Sequence, residues 1–229
     1  MSSILIFLDK KAPLQARRSL EKRGTVIDFE TDGIVYDAIS GHPDIFLFQW
    51  PGGFVVSPDL PEKYTDILQK KNVNIVTGSI KNGRKFPDTA HYNALYTSYG
   101  IIHNTRLTTP EISQTHKNLI HCNQSYSRCN AIQAGDLIIT SDRGIEKALK
   151  HNNVPVIYVN PENIILPDFN NGFFGGCCGI IDNTLFVCGS ISFLDEEHIV
   201  RSRLTEQNIK IVELYDGPPF DVGGIFFLI

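Results

Sequence analysis

Residues 135–160, GDLIITSDRGIEKALKHNNVPVIYVN, read as strand, turn, helix and strand, and the chain returns to that order five times. Asp136–Thr140 is an apolar run with β-branched residues, and Ser141-Asp142-Arg143-Gly144 supplies turn and N-cap chemistry. Ile145, Ala148 and Leu149 fall on one helical face, His151-Asn152-Asn153 stops the helix, and Val154–Val159 suits a second strand. The first copy has strands Ile4–Leu8 and Thr25–Phe29 around helix Leu14–Lys22. The second has Phe54–Ser57, Glu62–Lys71 and Val73–Thr77, and the third Ile101-Ile102, a helix entered at Thr108-Thr109-Pro110, and Leu119–Cys122. The fifth has Thr184–Cys188, Asp195–Glu206 and Ile209–Leu214.

A doubly wound sheet also alternates strands and helices, and two features separate the readings. Extra strands precede four of the copies: Asp44–Gln49, Asn93–Ser98, Asn130–Ala134 and Gly175–Ile181. Turn residues such as Trp50-Pro51-Gly52-Gly53 join them to the copy that follows, so each unit becomes ββαβ. The first copy lacks this extra strand, whereas Ile225–Ile229 forms one to spare. Pairing that segment with Ile4–Leu8 removes an exposed edge and closes a ring. The expectation is one α/β (α+β) domain over residues 1–229, a five-unit ββαβ propeller closed by its C-terminal strand on the first unit.

That architecture resembles the pentein β/α-propeller, the fold of the amidinotransferases, arginine deiminases and dimethylargininases and of a ribosome anti-association factor without enzyme activity. His42-Pro43-Asp44, Ser125–Asn130 followed by Ile138–Ile145, and Gly172–Gly179 look most like a group of uncharacterised bacterial proteins of that fold. The guanidine-modifying members need carboxylates for the guanidinium, a Cys nucleophile and a His acid/base. Pro43-Asp44 matches the start of their first acidic segment, but Leu47 stands at its aromatic position and Gln49-Trp50 replaces the acidic pair. Gly223-Gly224 matches the glycines before their nucleophile, yet Ile225–Ile229 contains no Cys. Gly175-Gly176-Cys177-Cys178 stands where their His segment would be. The resemblance thus implies the fold and leaves out most of the catalytic set.

The net charge of −4 and the lack of a dense Lys/Arg cluster argue against nucleic acid as a partner. Five cysteines without the spacing of a disulfide scaffold, and Met-Ser-Ser ahead of a short apolar run, point to a cytoplasmic protein with no membrane association. Neither a P-loop nor a Gly-x-Gly-x-x-Gly follows a strand, so no cofactor is expected. His116 and His121-Cys122 lack compact zinc spacing, so no metal is expected either.

First strands crowd the axis of such a ring, which makes polar residues on or beside them the candidates. Asp44, Gln49, Asn93, Asn130, Cys177 and Asp221 are the expected ligand contacts, with His42, Gln133, Cys129 and Cys178 nearby. The favoured function is binding of a small polar ligand, amidine- or amino-acid-like, without guanidine hydrolysis. The alternative is a Cys-dependent amidine or amide hydrolase or transferase, using Cys177 or Cys129 with His42 and Asp44. Packing as a small apolar residue is the commoner fate of a free cysteine, and His-Pro-Asp is good turn chemistry in its own right. Arg128 could lower the Cys129 pKa or anchor an anion. Asp142, Asp195 and Thr109 read as helix caps, and the loop Asp168–Phe174 either covers the axial site or seals the core.

Overall fold

The fourth repeat illustrates how these residues form their elements in the computed structural model, which describes residues 4–229. Gly135, at φ +62°, turns strand β9 (Ala131–Ala134) into β10 (Leu137–Thr140), a conformation that costs glycine little. Asp142 then accepts a 2.7 Å hydrogen bond from Ile145 N and starts helix α5 (Arg143–His151). Ile145 and Leu149 face the core, and Asn153 leaves the helix at φ +56°. β11 (Val156–Tyr158) returns parallel to β10, while β9 lies antiparallel on its other side.

Two other repeats have this plan at full length. They are β3 (Leu47–Trp50), β4 (Gly53–Val56), α2 (Glu62–Lys70) and β5 (Ile75–Thr77), and β12 (Cys178–Ile181), β13 (Thr184–Val187), α6 (Glu197–Glu206) and β14 (Lys210–Glu213). The third, β6 (Leu95–Thr97), β7 (Gly100–His103) and β8 (Leu119–His121), carries only a four-residue helix, α3 (Pro110–Ser113). The first, β1 (Leu5–Asp9), α1 (Leu14–Glu21) and β2 (Thr25–Phe29), takes its antiparallel strand from the far end of the sequence. That strand, β15 (Phe226–Leu228), pairs Leu5 with Leu228, Ile6 with Phe227 and Phe7 with Phe226. The result is a mixed α/β fold of five three-stranded sheets.

Side chains alternate across each strand, so every sheet has two apolar faces to cover. Phe226 and Leu228 join Phe7, Phe54 and Tyr64 between the first and second sheets. Ile225 and Phe227 point the other way, into a cluster with Ile6, Leu8 and Phe186 of the first and fifth sheets. Three further clusters fill the spaces between sheets two and three, three and four, and four and five. The antiparallel strands also touch in order, β3 on β6, β6 on β9, β9 on β12 and β12 on β15. Gln49 Nε2 donates to Phe227 O at 3.1 Å, joining β3 to β15.

Several boundaries differ from the sequence reading. Pro43–Ile45 and Gly175–Cys177 are 3-10 turns and Ser127–Asn130 is one helical turn, α4, so Asp44, Asn130 and Cys177 precede the strands assigned to them. Pro43 lacks a ladder donor, and the N–H groups of Asp44 and Arg128 reach carbonyls of neighbouring repeats instead. Thr109 is at a helix start without capping it, its hydroxyl being turned to Glu111. Asp195 lies ahead of α6 and accepts from Asn160 Nδ2 at 3.3 Å. Among the described residues, which exclude Met1–Ser3 of the N-terminal reading, no helix is long and apolar enough to cross a membrane.

Phe226 is 2% exposed, so Phe226→Ala leaves a cavity between two sheets and is expected to cost about 3–5 kcal/mol. Urea unfolding should show this against Leu14→Ala, at a residue 58% exposed and expected to change stability by about 0.5 kcal/mol or less. Equal midpoints for the two variants would contradict the packing described.

Candidate functional site

Five tight turns lead into the five antiparallel strands, and they are hydrogen-bonded to one another. Asp44 N donates to Gly223 O at 3.2 Å, and Asn93 Nδ2 donates to Asp44 O at 3.3 Å. Arg128 N donates to Asn93 O at 3.1 Å, and Cys129 N to Asn93 Oδ1 at 3.0 Å. The Arg128 guanidinium reaches Gly175 O at 2.6 Å and Cys178 O at 2.9 Å. Val222 N and Gly224 N both donate to Gly176 O, completing the circuit. Gly223 has φ +64°, and a Cβ there would lie 2.2 Å from His42 Cβ, so only glycine fits.

His42, Asp44, Cys129 and Asp221 project from these turns, and Asp9 reaches them from the end of β1. All five are at most 4% exposed. Cys129 Sγ donates to Asp44 Oδ2 at 2.8 Å and receives Asn93 Nδ2 at 3.4 Å. His42 Nε2 is 3.7 Å from Asp9 Oδ2, and its Nδ1 is 3.9 Å from Asp221 Oδ1. A ring nitrogen of His42, a carboxylate oxygen of Asp44 and Cys129 Sγ all lie within 4.8 Å of one another. Asp221 accepts from Phe173 N at 2.9 Å and Gly223 N at 3.0 Å, whereas His42 Nδ1 and Asp44 Oδ1 have no hydrogen-bond partner.

Burial dominates the electrostatics. It pushes Asp44 up to about 7 despite the Cys129 hydrogen bond and the Arg128 charge, and Asp221 up to about 8 with Asp44 adding to the effect. Asp9 rises to about 6 through burial, and His42 falls to about 3 through burial and then the Lys11 charge, so its imidazole is neutral. The Cys129 thiol is held well above the usual range by burial and then by Asp44 and Asp221. Three buried carboxyl groups thus share one region with a thiol and an uncharged imidazole. Arg128, the cation facing Asp44, donates to the two carbonyls and lies 5.2 Å over the Phe226 ring.

A cavity of about 120 Å³ opens onto His42, Cys129 and Asp221, with Tyr36, Tyr126 and Phe173 among its walls. A second, of about 230 Å³, shares His42 and Asp221 and extends past Asp9 and Lys11. Tyr36 lies 6.3 Å from the ring of Phe169, and Tyr126 lies 6.1 Å from that of Phe86, giving the cavity an aromatic rim.

The turns therefore bring together His42, Asp44, Asn93, Cys129 and Asp221 of the expected set. They do not bring in the others. Cys177 and Cys178 pack in the core between the last two sheets, Cys177 donating to Phe173 O, and burial raises both thiols. Gln49 is exposed on β3 and, with Gln133, lines a separate cavity of about 110 Å³. Asn130 is tied to Tyr126 O and to Ser141. Arg128 neither lowers the Cys129 pKa nor stands free for an anion. His116, His121 and Cys122 bond separately, to Asn118 N, Thr105 and Gln124 O. Asp9, Tyr36 and Tyr126 escaped the sequence reading. Strand register hides Asp9 rather than marking it, since it aligns with Asn104 and Asp142 of the third and fourth repeats, a turn residue and a helix cap.

No curated protein matches the chain in sequence. Among solved structures, DDAH from Pseudomonas aeruginosa, a cysteine-to-serine mutant complexed with citrulline, is similar in fold. It is 7% identical, the match covers 92% of this chain and 90% of that one, and the TM-score is 0.54. The likeness is that of the pentein fold. A family profile matches residues 7–226, and the protein belongs to the family of unknown function DUF6873.

Proposed function

We propose that the chain is a single domain, a five-unit ββαβ propeller of pentein type closed by β15 on β1, and that its axial cavity binds a small cationic ligand of amidine or amino-acid type. One observation carries the reading. Buried Asp221 lines both cavities and buried Asp9 the second, where Lys11 stands at the exposed side, while Asp44 lies behind Cys129 with the Arg128 charge acting on it; an entering cation lowers the cost of ionising Asp221 and Asp9. The rim of Tyr36, Tyr126 and Phe169 adds π-faces, which attract cations electrostatically. Nucleic acid and membrane have no part in this reading, and the cytoplasm is the proposed location.

The enzymatic alternative rests on the 2.8 Å contact between Cys129 Sγ and Asp44 Oδ2, with His42 beside them. In it, Asp44 takes the thiol proton and Sγ attacks the amidine carbon. Amine leaves with a proton, and water then cleaves the C–S bond and restores the thiol. Burial of Cys129 weighs against this, because it disfavours the thiolate. Cys177 has no place in either version.

Calorimetric titration with acetamidine and methylguanidine should detect binding, while uncharged acetamide and methylurea should give none. Asp221→Asn is expected to weaken amidinium binding at least about tenfold, as loss of a charge-assisted hydrogen bond does. Equal affinity for charged and uncharged probes would sink the binding reading. Iodoacetamide should label Cys129 more slowly than free cysteine near neutral pH. Labelling there faster than free cysteine, and blocked by acetamidine, would favour the enzyme.

A further inference from the structure

The floor of the axial cavity has a second property, independent of any organic ligand. Three different donor types converge there from two separate segments, His42 and Asp44 from one 3-10 turn and Cys129 from α4. Their mutual spacing of up to 4.8 Å compares with about 3.3–3.6 Å between ligands of a tetrahedral ion bound at roughly 2.0–2.3 Å. Uptake of an ion would draw the donors together across that difference.

Two of the three donor residues carry an unsatisfied atom. His42 Nδ1 and Asp44 Oδ1 are buried without a hydrogen-bond partner, although buried polar atoms are nearly always paired. The other nitrogen of His42 faces Asp9 at 3.7 Å. That distance is too long for a hydrogen bond, but it puts a carboxylate behind the imidazole, and a small approach would give the contact that fixes the tautomer of a metal-ligating histidine and leaves the opposite nitrogen's lone pair free. Asn93 holds the remaining pieces in place, bonding Cys129 N, Cys129 Sγ and Asp44 O at once.

We propose that His42 Nδ1, Asp44 Oδ1 and Cys129 Sγ hold one zinc-like divalent transition-metal ion, with Asp221 or a cavity ligand at the fourth position. A mixed N, O and S set suits zinc or cobalt and is poor for calcium or magnesium, which take oxygen donors. The thiol hydrogen now shared with Asp44 leaves as the ion enters, so each ion bound through sulfur releases that proton to solvent. The compact Cys/His spacing of zinc motifs is absent because the repeats, rather than one short segment, assemble the donors.

The test uses the full chain, stripped with a strong chelator and titrated with Co²⁺ alone and Zn²⁺ alone. One equivalent of Co²⁺ should bind and produce a near-ultraviolet thiolate-to-cobalt charge-transfer band, which Zn²⁺ then displaces. Cys129→Ser should abolish the band, whereas Cys177→Ser should retain it. Asp9→Asn, which touches no ion directly, should weaken uptake by about 10–100-fold. Circular dichroism checks that each variant is folded. Folded protein that takes up no Co²⁺, a band that survives Cys129→Ser, or a preference for Ca²⁺ over Zn²⁺ would each overturn the proposal. Metal uptake without amidinium binding would support this site and sink the organic-ligand reading, and amidinium binding without metal uptake would do the reverse.

Discussion

The circuit of hydrogen bonds linking the five turns is the constraint on which the rest depends. Turns that converge on a common centre bury peptide groups that no strand ladder can satisfy, and each unpaired group carries a desolvation cost. Asn93 and Arg128 meet most of that demand. The former donates to Asp44 O and accepts from the N–H groups of its neighbouring repeat, and the latter reaches two carbonyls of the next. Glycine at 176 and 223 lets the backbone come close enough for the remaining links.

A cationic side chain at that centre also shapes what can surround it. Arg128 attracts the Asp44 carboxylate, yet two of its nitrogens donate to carbonyls, so on Asp44 it acts through its field and not through a hydrogen bond. Natural folds retain such half-satisfied polar groups mainly where they serve a purpose, since a hydrophobic replacement is often at least as stable. His42 Nδ1 and Asp44 Oδ1 are two of these, and both belong to the His-Pro-Asp turn.

Much of the architecture was legible because local chemistry and tertiary packing agree. Every helix-flanking strand appears within a residue or two of its apolar run, and the pairing of Phe226–Leu228 with Leu5–Phe7 follows from one unmatched strand at each end. Boundaries failed where tertiary bonds replaced ladder bonds, as at Pro43–Ile45 and Gly175–Cys177. Site residues were legible to the extent that they were polar and adjacent to those turns. Cys177 met that criterion and still packs in the core, because it lies on a short helical turn rather than on the strand assumed for it, whereas Gln49 is on β3 as read but stands toward that strand's far end, away from the turns. Asp9 failed it by standing at a strand's far end, where an aspartate looks like a turn former. Only its approach to His42, across from another segment, reveals it as part of the centre.

The pairing of β1 with β15 also orders events during biosynthesis. Sheets two to five draw on contiguous sequence and can assemble as they leave the ribosome, but the first sheet waits for its edge strand. Until then Asp221 is absent, Asp9 lies beside an open edge, and the apolar faces meant for Phe226 and Phe227 are uncovered. A nascent chain of this kind therefore carries an incomplete pocket with uncovered apolar faces until β15 has been made. The acid cluster becomes a single chemical environment only when β15 meets β1.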